Sequence, residues 1–266
     1  MTAESPVEDL LFDVSGGVAR ITVNRPDARN AFTLEMYEKL AGCCEAVDAN
    51  VSVKVLIVTG AGGKAFSAGT DISAFRDFTT AEDALGYEAF MDRVLSAIEN
   101  CRVPTVAAIS GACTGGGAAV AACCDLRIGT ADTKLGFPIA RTLGNCLSVA
   151  NLARLSALIG PSRVKDMIFT ARLIEANEAA QIGLLTEVVE DLAALNARIG
   201  ALAGEIASFA PLTLRATKEG FRRIALRARQ DQEQDQDLIL MCYMSEDFRE
   251  GMAAFLEKRR PRWKGR

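Results

Sequence analysis

The stretch from Val103 to Asp125, VPTVAAISGACTGGGAAVAACCD, constrains this chain more than any other. It opens as a short apolar run, breaks at Gly111, reaches three consecutive glycines at Gly115, Gly116 and Gly117, and continues in small residues from Ala118 to Cys124. The pattern reads as a buried strand, a turn, and a helix whose N-terminus is a glycine loop. Glycine lets backbone come close to a ligand. The first N–H groups of a helix have no internal partner and carry partial positive charge. Such a corner serves either of two purposes: a close-packed helix start, or a site that stabilises negative charge on a ligand oxygen. Ser110, Thr114 and the glycines interrupt the run, and it lacks the large side chains of a membrane-spanning helix, so a buried core segment is expected.

The absence of histidine from all 266 residues excludes Ser-His-Asp and Cys-His nucleophiles and histidine-ligated metals. Acid–base chemistry must come from carboxylates, Lys, Tyr, Cys or the substrate itself. Eight cysteines in a pattern with two vicinal pairs and no CxxC predict small buried residues in a reducing cytoplasm, with neither a disulfide framework nor a zinc site. A net charge of −4 gives no reason to expect nucleic acid or an anionic membrane as partner. The acidic start, MTAESPVEDLLFDVSGG, lacks the basic segment of a secretory or mitochondrial signal.

Along the chain, Val18 to Val23 reads as a strand and Asn24 to Asp27 as a turn. Thr33 opens a helix striped by Met36, Tyr37, Leu40, Cys43, Cys44 and Val47. Val53 to Thr59 is a buried strand ending in Gly60-Ala61-Gly62-Gly63, which is neither GxGxxG nor a P-loop. A helix is expected over Thr79 to Cys101, with Thr79-x-x-Glu82 as capping box and Met91, Val94, Leu95 and Ile98 inside. Short strands follow at Leu126 to Ile128 and Lys134 to Phe137, then helices at Leu147 to Ile159, Ser162 to Thr170 and Glu175 to Ile182, and a strand at Leu184 to Val189. Beyond that the pattern is helical: Leu192 to Phe209, Thr213 to Arg229 and Gln232 to Lys258. The run QDQEQDQD, Gln230 to Asp237, reads as a solvated helix start or turn. This is an α/β core over 1–190 with a helical region over 191–266.

Two glycine loops, each after a buried strand, form a pair: Ala65-Phe66-Ser67-Ala68-Gly69-Thr70-Asp71-Ile72, and Ile109-Ser110-Gly111-Ala112-Cys113-Thr114-Gly115-Gly116-Gly117. With Asn24-Arg25-Pro26, Arg29-Asn30-Ala31 and the tail Phe255-Leu256-Glu257-Lys258-Arg259, the chain closely resembles the crotonase (enoyl-CoA hydratase/isomerase) family from about residue 10 to its end. The resemblance implies a spiral of ββα units with C-terminal helices that build homotrimers, often paired into hexamers. It implies an acyl-CoA thioester as ligand, with coenzyme A as part of the substrate and no permanently bound cofactor. Two backbone N–H groups, of Thr70 and Gly116, would hold the thioester oxygen. Ala65, Ala68 and Ile72 would clamp the adenine through their backbones, with Asp71 bracing the loop and Arg29 meeting the phosphates. Lys64 reads as a solvated loop lysine. Lys258 matches a lysine that reaches coenzyme A across a subunit boundary, or is a surface charge.

Hydratases of this family use two glutamates, which the resemblance aligns with Ala119 and Ile139. Neither residue transfers a proton, so a reaction other than standard hydration is expected, with a non-catalytic acyl-CoA-binding protein as the alternative. Three residues just beyond Ile139 are candidates for the chemistry: Arg141, Asn145 and Cys146. Arg141 offers bidentate binding of a substrate carboxylate, or an ordinary ion pair. Cys146, in a Gly-Asn-Cys turn, offers a thiol of lowered pKa, or a small buried residue. Asp125, Arg127 and Asp132 are weaker candidates.

Overall fold

A computed structural model describes residues 8–76, 78–229 and 236–266. Most of the run Gln230 to Asp237 lies outside the described residues. A hairpin of β1 (Leu10–Ser15) and β2 (Val18–Val23) opens the chain. Three units follow, each a longer strand and then a short one: β3 (Val55–Gly60) with β4 (Ala65–Ser67), β5 (Thr105–Ile109) with β6 (Ala112–Thr114), and β7 (Leu126–Thr130) with β8 (Lys134–Gly136). The longer strands join a six-stranded sheet in the order β1-β2-β3-β5-β7-β10, where β10 is Glu187–Val189, parallel from β2 onward. The short ones build a second sheet, β4-β6-β8-β9, where β9 is Ile174–Glu175 and runs antiparallel to β8. This is the crotonase fold, two mixed sheets with C-terminal helices.

Helix α1 (Leu34–Ala49) packs on one side of the large sheet at β1 and β2, α2 (Ala81–Glu99) packs on α1, and α3 (Gly116–Cys123) packs between α2 and the short strands β4 and β6, burying the Met36, Leu40 and Val47 stripe and the Val94, Leu95 and Ile98 stripe in the main core. On the other face α7 (Leu192–Ser208) lays Leu195, Ile199, Ala203 and Ile206 against Val55, Ile57, Val106 and Ile128. Strands covered on both faces read as continuous apolar runs, which is why they stand out in the sequence. Thr33 caps α1 by accepting from the Met36 N–H. The capping box of α2 is Thr80 with Asp83, one residue later than the sequence suggests, because the Asp83 carboxylate reaches back to the Thr80 N–H. Helices α4 (Val149–Ile159), α5 (Pro161–Phe169) and α6 (Ala176–Gln181) follow, and α8 spans Pro211–Arg229. The single final helix expected from Gln232 to Lys258 is two, α9 (Gln236–Tyr243) and α10 (Glu246–Leu256). Ser245 breaks the run by accepting from the Phe248 N–H as a new cap.

Asn30 explains the Asn24–Ala31 motif. It is 1% exposed, and its side chain amide donates to Ala61 O (2.9 Å) and Ala65 O (2.7 Å) while Oδ1 accepts from Arg25 N (3.0 Å). Its own φ of 57° lies in the left-handed region, which Asn tolerates. Arg25 in turn donates to Ala31 O and to Asp71. The turn after β2 is thereby stapled to the loop that carries Thr70. Asn30→Ala strands these buried groups and puts a Cβ-only residue at positive φ. We expect it to lower unfolding free energy by about 2–4 kcal/mol in chemical denaturation. A loss below about 0.5 kcal/mol would show that the staple does not hold the loop.

Candidate active site

A cleft of about 950 Å³ opens between the loop after β4, the N-terminus of α3, the turn after β8, and helices α2 and α9. Its floor is where the two glycine loops touch. A Cβ built on Gly69 would lie 3.1 Å from Thr114 O and 3.4 Å from Gly116 N. One built on Gly116 would overlap the Tyr37 hydroxyl and lie 2.8 Å from Thr70 Oγ1 and 3.4 Å from Thr70 N. Only residues without side chains allow this approach.

Backbone pairing leaves two donors over this floor. Phe32 N donates to Gly69 O and Asp71 N donates to Phe32 O, so the bridge between these strands bypasses the N–H of Thr70. Gly116 is the first residue of α3, and Gly115 before it provides no side-chain cap. Among the described residues neither N–H has a hydrogen-bond acceptor, and both residues line the cleft.

Hydroxyls surround the pair. Thr70 Oγ1 lies 3.1 Å from the Tyr37 hydroxyl and 3.1 Å from the Tyr87 hydroxyl. Beside Tyr87 the Tyr243 hydroxyl donates to Glu88 Oε1 (2.7 Å) and accepts from Asn145 Nδ2 (3.4 Å). The chain has three tyrosines, and all of them stand here. Burial pushes all three phenols up, for Tyr243 reinforced by the charge of Glu88, so each keeps its proton at neutral pH. Apolar walls complete the cleft, among them Met91, Leu95, Ala119, Phe137, Ile139 and Leu143.

The residues expected from the sequence are only partly brought together. Thr70, Gly116, Arg29, Ala68, Asp71, Ile72, Cys146 and Lys258 all line the cleft. Lys258 does so within its own chain. Ala65 does not line it; it is buried, and its carbonyl accepts from Asn30. Arg141 is exposed and does not line the cleft. Ala119 and Ile139 do face the cleft and bring no titratable group to it. Asp71 is held below its usual value: burial raises it, and hydrogen bonds from Ser73 and Arg25 outweigh that.

Cys146 and Cys242 are hydrogen-bonded to each other, and this hydrogen bond draws the Cys242 thiol below its ordinary value, to about 7. Asp125, Arg127 and Asp132 serve the fold. Asp125 ties Thr105 and Lys218 together, buried Arg127 donates to the Leu184 and Cys124 carbonyls, and Asp132 accepts from Thr130. The sequence reading overlooked Tyr37, Tyr87, Glu88 and Tyr243 as site residues. One signal was available: continuing the inner stripe of α2 back from Leu95 and Met91 lands on Glu88, a carboxylate on an apolar face.

The enoyl-CoA hydratase/isomerase family model matches residues 13–266. A crotonyl-CoA hydratase of Syntrophomonas wolfei is 35% identical over 257 residues, covering 95% of this chain and 96% of that protein. An enoyl-CoA hydratase/carnithine racemase structure from Magnetospirillum magneticum superposes with a TM-score of 0.79 at 34% identity, over 98% of this chain and 97% of the other. A methylmalonyl-CoA decarboxylase in complex with 2-nitronate-propionyl-CoA reaches a TM-score of 0.88 at 27% identity, over 97% and 99%. The chain belongs to the crotonase (enoyl-CoA hydratase/isomerase) superfamily, whose members act on acyl-CoA thioesters.

The crowding at Gly116 has a measurable signature. Gly116→Ala drives a methyl into the Tyr37 hydroxyl and is expected to destabilise by about 1–3 kcal/mol. Adding Tyr37→Phe removes the colliding oxygen and should recover much of that loss. Strictly additive energies in a double-mutant cycle would contradict the packing described.

Proposed function

We propose that this protein is an acyl-CoA-processing enzyme that holds the thioester oxygen between the N–H groups of Thr70 and Gly116. We propose further that its reaction passes through an enolate or oxyanion without the usual glutamate pair. The observation that carries this reading is the pair of unpartnered backbone donors above an apolar cleft. A thioester oxygen gains charge as an enolate or tetrahedral intermediate forms. Fixed donors in a dry site stabilise that charge most when it is fully developed, and one such donor is typically worth on the order of 10²–10³ in rate. Backbone donors need no particular side chain, so the two loops suffice for this task.

Ala119 and Ile139 argue against standard hydration. Adding water across an enoyl double bond needs one group to take a proton from water and one to give a proton to carbon. A methyl and a sec-butyl group supply neither. Decarboxylation and thioester cleavage are the reaction classes that fit. Loss of carbon dioxide needs no base at all, and the likeness to the methylmalonyl-CoA decarboxylase agrees with it. The resemblance to crotonyl-CoA hydratase favours the opposite outcome. A non-catalytic acyl-CoA-binding protein is the second reading, favoured by the same two side chains.

Along the coenzyme, Arg29 and Lys258 at the cleft are suited to the phosphates and the Ala68–Ile72 backbone to the adenine. We propose a homotrimer or hexamer in the cytoplasm, built through the C-terminal helices. Leu212, Phe221 and Ile224 are exposed on α8, an apolar surface of the kind that oligomers cover. The eight free cysteines agree with a reducing compartment.

Crotonyl-CoA hydration tests the central point. Turnover is expected to fall about 10²–10⁴-fold below that of hydratases with both glutamates, followed as loss of the enoyl thioester absorbance. Comparable turnover would refute it. A panel of saturated and carboxylated acyl-CoA esters separates the two readings, because conversion of any of them excludes a purely binding role.

A further inference from the structure

Three carboxylates among the described residues line the cleft. Asp27 is exposed at its edge. Asp71 is committed to Arg25 and Ser73. Glu88 differs from both: it is 8% exposed, on the inner stripe of α2, with the Tyr243 hydroxyl on Oε1. A buried carboxylate is costly unless hydrogen bonds support it, and such groups gather where proton chemistry is done. Two independent features connect Glu88 to the floor of the cleft. The residue before it, Tyr87, hydrogen-bonds Thr70 Oγ1, so one turn of α2 both braces the Thr70 loop and presents the carboxylate. Behind it, Tyr243 is oriented by Asn145, whose own Oδ1 is buried with no hydrogen-bond partner among the described residues. Asn145 and Glu88 both line this cleft.

We propose that Glu88 is the proton-transferring residue of this cleft and that Tyr243 is its positioning residue, in place of the α3 and post-β8 positions held by Ala119 and Ile139. The proposal rests on the reading that a thioester oxygen sits between the N–H groups of Thr70 and Gly116. In the step, the Glu88 carboxylate removes a proton from the carbon next to the thioester carbonyl. The electron pair of that C–H bond becomes the carbon–carbon double bond of the enolate, and the carbonyl π pair moves onto the thioester oxygen. Glu88, now a carboxylic acid, exchanges its proton with solvent water and returns a proton to the same carbon, and the electron pairs flow back. Tyr243 keeps its proton throughout. After loss of carbon dioxide from a carboxylated substrate the same enolate stands in the cleft, and Glu88, carrying a proton taken from solvent water, quenches it and is left as the carboxylate. No oxidant, metal or reactant other than solvent water enters.

Hydrogen exchange tests this without knowledge of the physiological acyl group. The wild-type protein is incubated with butyryl-CoA in D₂O, and deuterium at the carbon next to the carbonyl is followed by mass spectrometry. Butyryl-CoA affinity is measured in parallel by calorimetry. Wild type is expected to exchange this position well above the buffer rate. Glu88→Gln is expected to lose about 10²–10⁴-fold in exchange rate while binding butyryl-CoA within a few-fold of wild type. Tyr243→Phe should slow exchange with affinity unchanged, which a merely structural role would not produce. Should the Gln variant fail to fold, Glu88→Asp keeps the charge, shortens its reach, and is expected to exchange slowly at unchanged affinity. Wild type that binds but does not exchange, or Glu88→Gln or Glu88→Asp that exchanges at the wild-type rate, overturns the proposal. Absence of butyryl-CoA binding by wild type overturns the reading of the cleft itself, and this assignment with it.

Discussion

The site depends on two stretches of backbone meeting with no side chain between them. Gly69 and Gly116 approach so closely that a Cβ on either would crowd the other loop. That approach puts two unpartnered N–H groups at the floor of one cleft. Everything around it serves to hold the two loops in register. The Asn30 amide ties the turn after β2 to Ala61 and Ala65, Arg25 ties it to Asp71, and Thr114 Oγ1 donates to Ala68 O across the contact. The spiral of paired strands is the means of bringing these loops side by side. Each long strand delivers its chain to a short one, and the short strands β4 and β6 pair directly below the floor.

The parts of this arrangement that were legible in the sequence are those written in backbone chemistry. Buried parallel strands read as apolar runs because both faces are covered, as at Val55–Gly60 and Thr105–Ile109. The glycines mark where chains come close, and the family resemblance carried by the two loops implies Thr70 and Gly116 together. Short strands such as β4 and β6 were not legible, since three residues carry no period of their own. The division of the last helix at Ser245 was missed for a different reason. The apolar stripe continues through the break, and only the local cap at Ser245 interrupts it.

Side-chain chemistry was much less legible. Proximity to Ile139 in sequence singles out Arg141, Asn145 and Cys146, but it does not reveal the carboxylate and phenols that packing brings to the cleft. The cleft instead gathers Tyr37 from α1, Tyr87 and Glu88 from α2 and Tyr243 from α9. These residues are separated by as many as 206 positions, from Tyr37 to Tyr243, and meet only through packing. Arg141, by contrast, is exposed and does not line the cleft although it follows Ile139 closely. A small core in which Ala84 and Tyr87 of α2 pack with Phe75, Ile239, Tyr243 and Phe248 joins α9 to α2 and so completes the wall. A charged residue on an apolar helical stripe, as at Glu88, is the one sequence sign of this wall.

The most direct test of the account is a structure of the protein with butyryl-CoA bound. The account predicts the thioester oxygen at about 3 Å from both Thr70 N and Gly116 N. An acyl group seated elsewhere, or a thioester oxygen that reaches neither N–H, would contradict it.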